Sequence, residues 1–572
     1  MEKRWVLKPA DEEKIIALQK ELQVHPVICR LLVQRGISTF HEAKQFFRPS
    51  LDDLHDPFLM KGMQQAIERI NIALEKNERI LIYGDYDVDG TTSVALTYSF
   101  FKNIYYNIDY YIPDRYSEGY GISFKGIDYA KSTNCKLIIA LDCGIKANDK
   151  VDYAKERNVD FIICDHHLPG DEIPKAVAVL DPKQPDCHYP YKELCGCGIG
   201  FKLIQAFAQH HDMPFESVAN FLDLVAISIA SDIVPITGEN RILAYFGLEV
   251  LNKNPRPGLK ALIATTGFEG PLSISNIVFG IGPRINAAGR LDDARNAVRM
   301  LISQTEEHAK NGADILHGKN TDRKEIDKQI TLSALQMLND DAAEKNKVTT
   351  VLFHKEWHKG VIGIVASRLI DHYYRPTILL AQSNGLISGS ARSIKGFDIY
   401  EAIKQCSDLL EQYGGHMYAA GLSLLPENLE KFKIRFESIV RELIKPEQLI
   451  PEIEVDAIIR LKDISPSFYN IIKQFSPFGP QNMHPVFMTT QLGNNGRSKI
   501  VGDNHLKLGV KDNDLFSADA IAFQKGEFYH AVSSGNKFDI CYALEENYFN
   551  DLRTIQLNVK EIRMNEKYDT AI

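Results

Sequence analysis

A chain of 572 residues is too long for one ordinary hydrophobic core, so three or four domains are expected. Lys and Arg number 66 against 75 Asp and Glu, a net charge of −9, which excludes nucleic-acid binding by bulk charge and confines any such site to a local basic patch. The opening MEKRWVLKPADEEK has no apolar leader and no uncharged apolar run reaches membrane-spanning length, so the expectation is a cytoplasmic protein with no membrane partner.

In chain order, residues 1 to about 50 show helical apolar spacing in ADEEKIIALQKELQ and HPVICRLLVQRG, and STFHEAKQFF opens on capping residues. From about 60 to 235 the pattern alternates. RILIYGD, IDYYIPD, KLIIALDCG, VDFIICD and AVAVLD are near-continuous apolar runs of the kind covered on both faces, and helical stretches separate most of them, which predicts a mostly parallel sheet. Residues 197 to about 255 read as helical, after which the glycines of FGIGPRINAAGRLDDA interrupt. The charged, strandless stretch 302–346 predicts one long helix or a helical pair. A second α/β unit runs from KVTTVLFHKEWHKGVIG to about 440. Beyond about 450, short runs with turn punctuation predict a small β-barrel.

The nine cysteines are scattered, with Cys143, Cys164 and Cys541 inside apolar runs, as buried thiols in a reducing compartment would be. CHYPYKELCGC gathers Cys187, His188, Cys195 and Cys197. Structural zinc wants paired cysteines about two to four residues apart, and Cys195-x-Cys197 is too tight.

The chemistry lies where strands end. YGDYDVDG places Asp85, Asp87 and Asp89 at alternate positions before a glycine, like the start of a calcium-binding EF-hand loop. The twelfth position is Leu96 instead of a bidentate Glu, and a strand-like run precedes the loop where an EF-hand has a helix. Asp142 closes IIALDCG, and Asp165, His166 and His167 close IICDHH. Asp232, in AISIASDIVP, ends a helix running back. Parallel strands present their C-terminal ends along one edge, so these motifs are expected to meet. Taken singly, Asp142 reads as a turn residue and Asp232 as a helix stop. Taken together, so many carboxylates need cations. Carboxylate and imidazole without thiolate favour Mn²⁺ or Mg²⁺, and the ligand count fits two ions bridged by one carboxylate, with Asp142 as the candidate bridge. Extended, Asp85 and Asp89 would stand about 13 Å apart, so the chain must curl, with Gly84 and Gly90 allowing it, or one aspartate stands outside, with Asp85 as the candidate.

This series of motifs resembles the DHH phosphoesterase family, named for the Asp-His-His seen here as Asp165, His166 and His167. With GPRINAAGR, GSARSIKGFDIYEAI and YGGHMYAAGLSL it is similar to the branch that degrades single-stranded DNA, and the resemblance covers nearly the whole chain. It implies a helical N-terminal segment (1–55), a mostly parallel α/β DHH domain (56–300), a helical linker (301–346), a smaller α/β DHH-associated domain (347–445) and an OB-fold-like barrel (446–572). It further implies a two-metal 5′→3′ exonuclease releasing mononucleotides, in DNA recombination and repair. One ion would be held by Asp87 and Asp142, the other by Asp89, Asp142, His166 and Asp232. Asp85 would sit at the first ion or beside it, and His167 would face the phosphate.

Ser390 and Arg392 with Gly414, Gly415 and His416 would take the terminal 5′-phosphate, because hydroxyl, guanidinium and free amides suit it. Arg284, Asn286 and Arg290 are assigned to DNA backbone contact, against an interdomain salt bridge as the plainer reading. Trp357, His358 and Lys359 fit either a strand-to-helix corner or the path of the DNA strand. From 485 to 572 ten Lys and Arg face twelve Asp and Glu, so attraction in the barrel must come from a patch such as Arg497, Lys499 and Lys507. Expected partners are single-stranded DNA, with a helicase and a single-strand-binding protein as candidates, and the expected state is a monomer. Rival readings keep the DHH site but turn it on short oligonucleotides or dinucleotides, or make the chain an inactive replication scaffold. The barrel and helical preface speak against the first, the complete ligand set against the second.

Overall fold

The computed structural model describes residues 3–341, 344, 346–383, 385–549 and 552–565. They form two compact units, one of residues 55–234 and 246–451, the other of residues 3–54, 235–245 and 452 onward.

In the first unit Arg79–Gly84 (β1), Ile108–Tyr111 (β2), Cys135–Leu141 (β3), Asp160–Cys164 (β4) and Ala178–Leu180 (β5) form a sheet in the order β2-β1-β3-β4-β5. Every pairing in it is parallel. Consecutive residues such as Ile80, Leu81, Ile82 and Leu137, Ile138, Ile139 are all buried, so neither face is left for water. The order reverses between β1 and β3, and a sheet of this type offers its ligand crevice at the strand ends beside that reversal. Val88–Lys102 (α1), Gly196–His210 (α2) and Leu222–Ser231 (α3) pack on one another.

The glycines of FGIGPRINAAGR do not interrupt the helical run. A π-helical turn at Ile277–Ile281 leads into Gly282–Leu291 (α4), and the glycines serve close approach. A Cβ on Gly289 would stand 2.4 Å from the Tyr86 carbonyl oxygen, so α4 lies directly on the GDYDVDG loop. Glu306–Asp340 (α5) is a single 35-residue helix. Its buried Asp327 forms an ion pair with Arg368 at 2.9 Å, tying it to the lobe that follows.

In that lobe Thr350–His354 (β6), Thr377–Ser383 (β7), Leu386–Arg392 (β8), Gln412–His416 (β9) and Ala419–Leu424 (β10) line up as β9-β10-β8-β7-β6, with Ile362–His372 (α6) between β6 and β7. Only β6 and β7 are parallel. Ile378, Leu380, Leu422, Phe432 and Phe436 are part of its core.

In the second unit Ala457–Ile458 (β11), Phe487–Asn494 (β12), Lys499–Val501 (β13), His505–Lys511 (β14), Ser517–Ala522 (β15), Phe538–Phe549 (β16) and Leu552–Met564 (β17) form a sheet in the order β11-β12-β16-β17-β15-β14-β13. A further β12–β14 pairing at Gly493 and Lys511 closes it into a barrel. The helices Glu12–Leu22, Pro26–Val33 and Phe40–Phe47 belong to the same body. Leu18, Leu31 and Phe46 share one apolar cluster with Phe475, Phe487 and Phe538, and the strand Arg4–Leu7 pairs with Glu452–Val455. The sequence reading sets residues 1–55 apart. Short amphipathic helices cannot bury their apolar faces against one another alone, and the barrel supplies the missing partner.

Candidate active site

The loop after β1 curls at once. Asp87 caps α1 by accepting from the Gly90 amide at 3.0 Å, so Asp89 already belongs to the helix. Neither Gly84 nor Gly90 takes a left-handed backbone. They are needed for proximity: a Cβ on Gly90 would lie 2.4 Å from the Asp85 carbonyl oxygen, and one on Gly84 would lie 2.4 Å from the Val94 side chain.

Asp89 is held by the start of α2. Its carboxylate accepts from the amides of Gly196 and Cys197, each at 2.7 Å, and from the Ser228 hydroxyl at 2.6 Å. This is what the Cys-Gly-Cys-Gly stretch does: it presents a helix N-terminus to a carboxylate, where free amides and the helix dipole favour negative charge. The Cys195 sulfur accepts from the Gly198 amide at 3.2 Å, and among the described residues no group of possible metal ligands includes a cysteine. All nine thiols are free and buried.

Around His166 the strand ends converge. Its Nε2 lies 3.1 Å from Asp142 and 3.6 Å from both Asp89 and Asp232. Asp142 adopts φ +59°, left-handed for a residue with a side chain, at the tip of β3, and Ile233 beside Asp232 has φ +60°. Asp87 lies close enough to Asp142 for its charge to raise that carboxyl. Both Asp142 oxygens and His166 Nε2 are buried with no hydrogen-bond partner. Burial, then the neighbouring Asp89 and Asp87 charges, pushes the Asp142 carboxyl far above the usual range and Asp232 to about 8, while burial pulls His166 down. Orphaned carboxylate oxygens and a neutral imidazole facing one point are a divalent cation's ligand set, and oxygen and nitrogen without sulfur suit Mn²⁺ or Mg²⁺. The residues therefore fit the ions expected from the sequence.

The ligand atoms that converge on His166 fall into two groups, Asp142 with His166 and His167, and Asp89 with His166 and Asp232, and both Asp85 and Asp87 stand outside them. Asp85 lies the deeper of the two. It is fully buried, with one oxygen accepting from the Gly121 amide at 3.2 Å and the other without a partner. Asp165 also lies beneath the site. It accepts from the amides of Ile145 and His166 at 2.8 Å and holds His167 Nδ1 at 2.7 Å. Burial would raise this carboxyl, but the His167 hydrogen bond and charge bring it to about 2. Burial likewise opposes the His167 charge, yet Asp165 lifts that ring to about 9. His167 Nε2 then meets the Tyr120 hydroxyl at 3.3 Å.

The second lobe supplies the opposite chemistry. Registers place Gly414, Gly421 and Ser390 in one cross-strand row, and His416, Ala419 and Arg392 in the next. Directly paired residues share a face, so His416, Ser390 and Arg392 flank a trough two strand spacings, about 10 Å, wide with only Gly421 and Ala419 between. β9 is an edge strand and fully exposed. A Cβ on Gly363, in the first turn of α6, would meet the Ser390 hydroxyl at 2.7 Å and the Arg392 guanidinium at 2.9 Å, so a helix N-terminus adjoins both. Arg392 donates to the Ser390 hydroxyl at 3.1 Å. Among the described residues no carboxylate is hydrogen-bonded to Arg392 or Arg290. Burial, then Arg115 and Arg392, brings Arg290 down to about 10. Gly415 and His416 also line a cavity of about 740 Å³ with His166 and His167.

The GPRINAAGR assignments separate. Arg284 is a correction: it is buried and donates to the carbonyls of Gly280 and Thr265, to the Thr265 hydroxyl and, at 3.4 Å, to His317 Nδ1, so its guanidinium is turned into the protein rather than toward a strand. The salt-bridge reading fails for it too, since its partners are backbone, hydroxyl and imidazole within the same unit. Asn286 is partly exposed on α4. Arg290 reaches across to the Gly360 carbonyl at 2.9 Å. Trp357, His358 and Lys359 make a strand-to-helix corner, with Lys359 lying 4.6 Å over the Tyr116 ring. In the barrel Lys499 pairs directly with Lys507 across β13 and β14, and Arg497 is exposed at a small cavity with Leu461, Ile464 and Leu557. Sequence reasoning missed the Gly196 and Cys197 amides, Ser228, Arg115 and Tyr120. Small residues opening a helix were a readable signal for the amides. Nothing local marked the rest.

The comparisons with known proteins agree. Residues 79–229 match the DHH family, N-terminal domain, residues 345–442 the DHHA1 domain and residues 455–561 the RecJ OB domain. The single-stranded-DNA-specific exonuclease RecJ of Bacillus subtilis (strain 168) is 36% identical over 98% of this chain and 71% of its own length. The protein of that name from Escherichia coli (strain K12) is 31% identical over 94% of this chain and 96% of its own. Among solved structures, RecJ from Thermus thermophilus in complex with Mn²⁺ superposes with a TM-score of 0.84 at 26% identity, covering 98% of this chain and 79% of that one. Exonuclease RecJ bound to manganese gives 0.60 at 30% identity over 70% and 98%. The α/β DHH lobe, the DHHA1 lobe, the OB barrel and the carboxylate–histidine cluster thus stand in one chain with full-length relatives above 30% identity, and the chain belongs to the RecJ family of DHH proteins.

Proposed function

We propose that this chain is a metal-dependent exonuclease that degrades single-stranded DNA from its 5′ end to mononucleotides, acting in recombination and repair. The observation that carries the reading is the orphaned, buried Asp142–His166 pair, with Asp89 and Asp232 converging on the same imidazole. The trough of Ser390, Arg392, Gly414, Gly415 and His416 supports recognition of a terminal phosphate. Asp87, Asp89, Asp142, His166 and Asp232 would hold two divalent ions, which when bound supply Lewis acidity toward a phosphoryl oxygen and a water. Asp165 fixes the His167 ring and keeps its proton, so that Nε2 can donate to a phosphate oxygen brought between it and Tyr120. Arg290 and Arg392 answer the phosphate charge. Asp85 anchors the Gly121 loop that carries Tyr120.

We further propose a cytoplasmic monomer working with a helicase and a single-strand-binding protein. Among the described residues no helix is long and apolar enough to cross a membrane. The decisive experiment is digestion of 5′- and 3′-end-labelled single-stranded and duplex DNA with Mn²⁺, Mg²⁺ or EDTA, repeated for Asp142→Asn. Early release of labelled mononucleotide from the 5′-labelled single strand, lost with EDTA and with the substitution, is expected. Attack from the 3′ end, or a strict preference for dinucleotides, would overturn it.

A further inference from the structure

The cavity beside the carboxylate–histidine cluster has a wall that the site as described leaves unused. It comes from the turn after β5, a strand at the edge of the parallel sheet whose end none of the motifs occupies. Lys183 stands on that turn and lines the cavity together with His166, His167, Leu168, Tyr120 and His416. Its charge is felt at both His166 and Asp232, so the ammonium lies near the ion-holding groups. Its carboxylate neighbour Glu193 is half exposed and 3.7 Å away, too long for a hydrogen bond, so the ammonium keeps donors to give.

The turn is built to hold Lys183 there. Asp181 is fully buried, and one of its oxygens accepts from the Lys183 amide at 2.7 Å, a side-chain-to-backbone turn two residues long. Gln184 braces the same turn, donating to the carbonyls of Val179 and Asp181 at 2.9 and 3.2 Å. Leu168, 70% exposed in the lining of the same cavity, leaves an apolar surface that water covers poorly. A buried carboxylate shaping a turn so that a cation and an apolar side chain face one opening fits an anionic ligand with a flat or apolar body. At about 740 Å³ the opening is in the size range of small-molecule pockets.

Resting on the exonuclease reading, we infer that Lys183 is a substrate-binding residue: its ammonium takes a non-bridging oxygen of the phosphodiester lying at the Asp89–His166–Asp232 cluster, and Asp181 is its positioning residue. Between Lys183 at one end and His416 at the other, the cavity takes a single terminal nucleotide, with its base or sugar against Leu168.

The test compares full-length wild type, Lys183→Ala, Lys183→Arg, Asp181→Asn and Leu168→Ala on a 5′-phosphorylated single strand with Mn²⁺ at several salt concentrations. Lys183→Ala is expected to raise KM roughly tenfold or more. It should also reduce the slope of log affinity against log salt by about 0.7, the loss of one phosphate contact on a single strand. Lys183→Arg restores most of the slope, and Leu168→Ala raises KM with the slope unchanged. Asp181→Asn shows a smaller KM effect than Lys183→Ala. The Mn²⁺-induced rise in melting temperature should survive in Lys183→Ala, which separates a substrate contact from damage to the ion site and reports folding without reference to activity. With an active wild type, an unchanged KM and salt slope in Lys183→Ala overturns the assignment to Lys183 alone, as does loss of the Mn²⁺-induced shift. A wild type inactive on single strands overturns the exonuclease reading and this inference with it.

Discussion

The two polar faces of the first unit solve opposite problems. Strand ends and helix ends of the DHH domain crowd Asp89, Asp142 and Asp232 around His166, in a buried place where neither Asp142 oxygen has a hydrogen-bond partner. The DHHA1 sheet does the reverse: it sets Gly414, Gly415 and His416 on an exposed edge strand and the half-buried Ser390 and Arg392 two strands in, and among the described residues no carboxylate is hydrogen-bonded to Arg392. One face is unstable until cations arrive, the other is stable and waits for an anion. A phosphodiester chain with ions at one phosphate and a free terminal phosphate at the next would satisfy both, which is the ligand proposed above.

The contrast can be broken from either side. Asp142→Asn keeps the left-handed backbone and removes a charge that the ions need. Activity on single strands should fall roughly 10³-fold or more, since an ion's share of transition-state stabilisation is several kcal/mol. The melting temperature without divalent ions should nonetheless rise, because a buried repulsive carboxylate has gone. Calorimetry beside a nuclease assay would show both, and a fall in both would refute the picture of an electrostatically frustrated cluster. On the other face, Arg392→Ala should lose a charge-assisted hydrogen bond of roughly 1.5–3 kcal/mol. The rate ratio between 5′-phosphorylated and 5′-hydroxyl substrates is expected to shrink about 10- to 100-fold, chiefly through KM. If that ratio holds, the trough is not where the terminal phosphate binds.

Weaker tests sharpen the comparison. Asp165→Asn removes the partner that keeps the His167 proton, and a loss of about 10- to 100-fold in kcat is expected. A pH–rate profile whose alkaline limb moves to lower pH in the variant would confirm that His167 works protonated. The carboxyl of Asp232, raised to about 8, implies that stability without ions is fully present below the ordinary carboxylate range near 4 and lost as pH rises through about 8. Added Mn²⁺ should therefore raise the melting temperature more at pH 8 than at pH 6, a difference that scanning fluorimetry reads directly. Smallest of all, Lys499→Ala or Lys507→Ala in the barrel should weaken long single strands through a salt slope lower by about 0.7 and leave short ones unaffected.

What could be read in the sequence was whatever repeats locally. Apolar runs fixed the strands, and an acid at the end of each run is visible wherever the run stops, so Asp142, His166 and Asp232 were legible before their meeting was. What stayed hidden depends on contacts between distant residues. The Gly196 and Cys197 amides matter only because Asp89, over a hundred positions earlier, reaches them. Arg284 looks like its neighbour Arg290, and only packing shows that one is buried against the backbone carbonyls of Gly280 and Thr265 while the other reaches the Gly360 carbonyl. The helices before residue 48 gave no hint that their apolar faces complete the core of a barrel formed four hundred residues later.

Asp142 holds a backbone conformation that few side chains tolerate, at φ +59°. Asparagine and glycine accept it readily and most other residues do not. Copies of this fold that abandon hydrolysis are therefore channelled: their genes should keep Asn or Gly at this position after the other acids have drifted freely. A survey of genomes for decayed paralogues would find LNCG or LGCG where this chain has LDCG, a fossil left by geometry after chemistry has ceased.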